Sequence, residues 1–190
     1  MRARDNPFRS DRIEQLAFRF SGDTWETLLE RFLRLGRRGA IVGPEGTGKT
    51  TLLEQTAARL TDLGYRTALL RLTADDARQS AARVRKHAAR LGRSDVLLLD
   101  GADHMPRLSW LRLRQAASRI GGLLITSHRP GLLPTIIETA ASLSVVRDIV
   151  AELLGGSCAA VESVLPELLA RRGGNVRLVL RDLYDIYARL

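Results

Sequence analysis

The sequence predicts an α/β fold, a mainly parallel five-stranded sheet covered by helices on both faces, followed by a small all-helical C-terminal part. Three observations carry this. Short apolar runs alternate with stretches of helical periodicity as far as residue 146. Two of the runs, Val96–Leu99 and Leu123–Ile125, are continuously apolar, as strands buried on both faces are. From Arg147 onward every apolar pattern is helical.

Taken in order, Asp23-Thr24-Trp25-Glu26 reads as a helix cap with Glu three residues on. Trp25, Leu28, Leu29, Phe32 and Leu35 share one face behind it, and Gly36 closes the helix. Ala40-Ile41-Val42 is a short buried strand. A helix with Leu53, Ala57 and Leu60 runs to Gly64, and residues 65–72 form a strand. Ala77, Ala81, Val84, Ala88 and Leu91 stripe a helix over 75–91, and residues 96–100 are a strand. Trp110, Leu113, Ala117 and Ile120 mark the next helix, and 123–126 another strand. The pattern then predicts a helix over 132–140 and a last strand over 142–146. Helices follow over about 148–154, 158–172 and 175–189, the middle one bent or divided by Pro166. The boundaries expected are a core over 1–146 and a helical part over 147–190.

The segment between the first strand and its helix is Gly43-Pro44-Glu45-Gly46-Thr47-Gly48-Lys49-Thr50, a complete G-x-x-x-x-G-K-[ST] in the strand–loop–helix setting it requires. A loop wrapped round a β-phosphate must turn consecutive backbone N–H groups inward, and glycines permit that backbone. The helix aims its positive end at the anion. Lys49 bridges β- and γ-phosphate oxygens, Thr50 supplies a hydroxyl to Mg²⁺, and Thr51 continues the binding segment. The expectation is therefore a P-loop NTPase of three α/β/α layers that binds ATP with Mg²⁺.

Val96-Leu97-Leu98-Leu99-Asp100 reads as the second, Walker B, strand, with Asp100 on the metal side. One complete strand and helix, residues 65–91, separate the two motifs. That spacing fits a sheet in which a further strand is inserted between the P-loop strand and the Walker B strand. Asp100, Asp103 and His104 are better read as part of Mg–nucleotide chemistry than as a protein-only metal site.

With these motifs in place the chain resembles a minimal AAA+-type ATPase, in the style of initiator, clamp-loader and transposition-regulator ATPases. Asn6-Pro7-Phe8 and Arg12-Ile13 sit where such proteins carry the adenine-side segment. Thr126-Ser127-His128 sits where they carry the polar sensor 1. Gly174-Asn175-Val176-Arg177 is similar to the sensor 2 motif G-[ND]-x-R of a helical lid. The resemblance implies that Arg177 reaches the γ-phosphate, and that Thr126 or His128 orients the attacking water or reads that phosphate. It also implies a glutamate after Asp100, where this chain has Gly101 in the run Asp100-Gly101-Ala102-Asp103. Asp103 can stand in as the water-polarising carboxylate, with Glu45 a weaker candidate, so hydrolysis is expected to be slow. Arg119, Arg129 and Arg147 are each open as an arginine finger. Two other readings stay beside the ATPase: a hydrolysis-deficient regulatory or scaffold subunit, and a small-molecule phosphotransferase.

The 190 residues carry 30 Lys+Arg against 21 Asp+Glu, a formal +9. All but Lys49 and Lys86 of the basic residues are arginine, and residues 78–129 alone hold +8. Arg83, Lys86 and Arg90 share a helix face with Arg78 and Arg85 alongside, and Arg107, Arg112, Arg114 and Arg119 follow. That face could neutralise nucleic-acid phosphates or meet an acidic protein or another protomer. Aromatics are only 5%, which disfavours base stacking. The single cysteine, Cys158, excludes an internal disulfide and a Cys-rich zinc cluster. No run reaches membrane-spanning length and the N-terminus lacks an apolar leader, so a cytoplasmic protein without membrane contact is expected.

Overall fold

The computed structural model describes residues 5–73 and 77–188. Residues 75, 76 and 189, expected to begin one helix and end another, lie outside the described residues, as do the side chains of Ala77 and Arg78. The chain forms two compact units. One comprises residues 23–43 and 49–139, the other residues 1–22, 44–48 and 140–190.

The first unit is a five-stranded, all-parallel sheet in the order β2-β3-β4-β1-β5. The strands are β1 (Arg38–Val42), β2 (Arg66–Arg71), β3 (Asp95–Asp100), β4 (Gly122–Ser127) and β5 (Thr135–Glu138). The strand inserted between β1 and β3 is thus β4, while β2, which follows the P-loop in sequence, lies at an edge. Because side chains alternate along a strand, Leu97 and Leu99, Leu123 and Ile125, and Ala40 and Val42 share one face. Helices α4 (Ala77–Ala88) and α5 (Arg107–Ala117) cover that face with Ala81, Val84, Ala88, Trp110, Leu113 and Ala117. The opposite face is covered by α2 (Trp25–Arg34) and α3 (Lys49–Asp62), which bury Leu28, Phe32, Leu52, Leu53 and Leu60. Three α/β/α layers result.

Three details differ from the sequence expectation. The cap of α2 is Thr24, whose hydroxyl accepts from the Thr27 N–H while Thr27 Oγ1 accepts from the Thr24 N–H. Asp23 instead pairs with Arg31 at 2.8 Å. The helix expected over 132–140 is strand β5. Pro134 lacks an N–H, and its carbonyl accepts from Ala40 as β5 joins β1, burying Ile136 and Ile137. The strand expected over 142–146 is the start of α6 (Leu143–Leu154). Ser142 caps this helix by accepting from the Val145 N–H, and Val146, Val150 and Leu153 form its buried stripe. β-Branched residues at 145 and 146 imitate a strand, but the serine cap decides otherwise.

The second unit has its own core. Helices α6, α7 (Ala159–Arg171) and α8 (Val176–Ala188) bury Val146, Val150, Leu165, Val179 and Leu183 around Phe8. Pro166 sits inside α7, which runs on as one helix. The N-terminal segment ahead of the short α1 (Ser10–Ile13) is built into this unit. Asn6 donates from Nδ2 to the Tyr184 carbonyl at 3.0 Å and accepts from the Phe8 N–H, and Phe8 meets Tyr187 edge-on. Among the described residues no helix is long and apolar enough to cross a membrane.

Candidate functional site

Parallel strands present their carboxyl ends along one edge of the sheet, where α/β proteins collect their chemistry. The register places Val42 opposite Ser127 and Leu99 opposite Ile125. Asp100 and Thr126 therefore emerge on adjacent strands, with Gly43 leaving the next. Asp100 is the centre of a short hydrogen-bond chain. Thr50 donates to its Oδ2 at 2.9 Å, and Thr126 donates to its Oδ1 at 2.6 Å. Thr126 Oγ1 in turn accepts from the Gly101 N–H at 2.8 Å. Arg71, in register with Asp100 at the end of β2, places Nε 3.8 Å from Oδ2 and also pairs with Glu54.

A hydroxyl and a carboxylate converging in this way offer the hard oxygen ligands that Mg²⁺ prefers, with its other positions left to water and phosphate. The donor set fits the ion.

Gly43 is pinned to the sheet by its N–H, which donates to the Ser127 carbonyl at 3.1 Å. A side chain at Gly43 would overlap Thr139. Lys49, the first residue of α3, folds its ammonium back onto the Gly43 carbonyl at 2.7 Å.

The middle of the loop, Pro44–Gly48, packs with the helical unit. Thr47 donates to the Pro44 carbonyl at 2.8 Å. Gly46 has φ 75°, and its carbonyl accepts from the Val176 N–H at 3.2 Å. Asn175 caps α8 by accepting from the Leu178 N–H, and its carboxamide occupies the space a Gly46 side chain would need. Arg177, two residues beyond Asn175, is exposed, as is Glu45.

Gly101, where the resemblance implies glutamate, has φ 75° and ψ 39°. An added Cβ would stand 2.8 Å from the Leu72 carbonyl. This left-handed residue turns the chain into a 3-10 turn, Ala102–His104, that carries Asp103 to His128. Asp103 Oδ2 accepts from the His128 N–H at 3.4 Å and pairs with the ring Nδ1. Burial alone would raise the Asp103 carboxyl, but the hydrogen bond and charge of His128 outweigh it and hold it below the usual carboxylate range. The His104 and His128 rings lie 6.1 Å apart.

The structure thus gathers Thr50, Asp100 and Thr126 in one cluster and Asp103 with His128 in a second, joined through the backbone of Gly101 and β4. Gly46 and Asn175, on the other unit, form a third. Sequence reasoning missed Arg71 and the role of Asn175 against the loop. Arg71 had a signal, an arginine ending the strand next to the Walker B strand. Asn175 had only its helix cap.

Residues 40–128 match the family model described as ATPase family associated with various cellular activities (AAA). No curated relative matches the sequence. A variant of RuvB from Thermotoga maritima superposes with a TM-score of 0.58 at 18% identity, over 83% of this chain and 57% of that one. RuvB of the same organism, solved as a Holliday junction branch migration motor, gives 0.55 at 17%, over 84% and 60%. AMPPCP-bound DnaA from Aquifex aeolicus gives 0.55 at 18%, over 81% and 57%. The chain thus spans about 57 to 60% of these proteins' lengths, and the likeness is one of fold. Motif, sheet order and family match agree: residues 40–128 match the AAA ATPase model, and the sheet around the phosphate-binding motif runs β2-β3-β4-β1-β5.

Proposed function

We propose that the protein is an ATP-binding switch that hydrolyses ATP slowly and passes its nucleotide state to a macromolecular partner. The observation that carries this is the hydrogen-bond chain Thr50–Asp100–Thr126 at the end of a complete phosphate-binding motif. Gly43 to Thr51 would hold the phosphates through backbone N–H groups and Lys49. Thr50 and Asp100 would hold Mg²⁺, which when bound neutralises charge on the β- and γ-phosphates. Thr126 keeps the Asp100 carboxylate oriented. Asp103, steadied by His128, would polarise the attacking water in place of a residue at 101, and Arg177 would meet the γ-phosphate from α8. A carboxylate held ionised by a histidine is a weak base, so turnover is slow.

The loop's centre belongs to the helical unit, through Gly46, Asn175 and Val176. A phosphate that rearranges the loop therefore acts directly on the first turn of α8. This supports a relay into the helical lid, residues 147–190.

Steady-state ATPase and ATP-binding measurements on wild type, Lys49→Ala and Asp103→Asn test the reading. Lys49→Ala should lose binding. Asp103→Asn should bind ATP as before and lose turnover. A second reading, binding without hydrolysis in a regulatory subunit, is favoured by the backbone of Gly101. Tight ATP binding with no turnover in wild type would select it.

A further inference from the structure

Helices α4 and α5 pack against each other on one face of the sheet and bury their small and apolar residues there. Their other sides face outward. Neither contains a carboxylate: α4 carries four cationic side chains in 12 residues, and α5 carries three in 11. Arg83, Lys86 and Arg90, three and four residues apart, are all exposed. On α5, Leu108 and Leu111 are 69% and 57% exposed, with exposed Arg112 beside them. Two leucines at i and i+3 form one apolar spot on a helix surface, here within a cationic border.

The helix carrying that spot is tied to β1. Arg38 donates to the carbonyls of Ala117 and Ile120 at 2.7 and 2.8 Å, tying down the C-terminal end of α5.

A nucleic-acid backbone would use the cations and gain nothing from the leucines, and Trp110, the aromatic residue of α5, is buried in the core and closed to base stacking. An amphipathic helix with apolar anchors one turn apart and carboxylates on its flanks satisfies both features: the leucines bury against its anchors, and the arginines pair with its acids. We propose that the outer face of α4 and α5 is a docking surface for an acidic amphipathic helix of a partner protein. None of its residues belongs to the phosphate loop, and it works whether or not ATP is turned over.

The probe is a fluorescein-labelled peptide of about five helical turns, with leucines at i, i+3 and i+7 and glutamates on the flanks. Its binding to the full chain is followed by anisotropy, with short duplex DNA as competitor. Wild type should bind the peptide, more weakly as salt rises. Leu108→Ser with Leu111→Ser should weaken it by about tenfold or more, and the single Leu108→Gln by less. Lys86→Glu, Arg90→Glu and Arg112→Glu together should abolish it. All should keep the wild-type thermal midpoint, since none of these side chains is in the core. Three results would overturn the proposal: no peptide binding by wild type, equal binding by the leucine variants, or displacement by DNA whose own affinity ignores the leucines. The last would make the face a nucleic-acid surface.

Discussion

Thr126 donates to Asp100 at 2.6 Å and accepts from the Gly101 N–H at 2.8 Å, so one hydroxyl orients the acidic residue and fixes the backbone that follows it. Removing that hydroxyl leaves the half-buried Gly101 N–H without its acceptor and frees the carboxylate. Thr126→Val should cost about 1–3 kcal/mol of stability, read as the urea midpoint, and lower ATPase turnover by about tenfold or more. Thr126→Ser should restore most of both.

Restoring the family's glutamate should fail. Gly101→Glu places a side chain at φ 75° and against the Leu72 carbonyl, costing at least about 1–2 kcal/mol from the left-handed backbone alone. Turnover should not rise above wild type. A faster and equally stable Gly101→Glu protein would refute the assignment of Asp103.

Gly46→Ala meets both a positive φ and the Asn175 carboxamide. ATP affinity, measured by calorimetry, should fall by about tenfold, roughly 1.4 kcal/mol. Asn175→Ala removes only the cap of α8 and should cost about 1 kcal/mol of stability.

Acid should destabilise the fold through two carboxylates. Asp95 is held below its ordinary value by the Gly92 N–H and then by the two-pronged hydrogen bond from Arg66. Asp182 is held down chiefly by its hydrogen bonds from Arg172. Groups depressed on folding contribute stability that is complete above their unfolded pKa, about 3.9, and lost as pH falls through the folded value. The urea midpoint should therefore be insensitive to these groups between neutral pH and about 5, then fall below about 4. In Asp95→Asn the fall should be shallower.

The phosphate loop, β1, β3, β4 and the helices over them were legible because each rests on a local rule: glycine placement, continuous apolar runs, one-face stripes. The exchange of helix and strand between 132 and 146 was not. Ile136-Ile137 is too short to show a period, and its strand character comes from pairing with β1, a partner far along the chain. Thr126, His128 and Asp103 were nameable from the family resemblance, but their bonds to Asp100 and to each other depend on parallel register. The meeting of Asn175 with Gly46 joins residues far apart in the chain, and no local pattern announces it.

Among the described residues the sheet ends on one side at β2, whose outer backbone has no neighbouring strand. Such a rim invites a second chain to add its own strand, and an exposed Leu69 in the middle sweetens the offer. Arginines stand at both ends, Arg66 tied to Asp95 and Arg71 to Glu54, so long charged and solvated side chains flank the rim at either end. The two arginines thus stand where gatekeepers of an edge strand stand, a placement that works against edge-to-edge pairing.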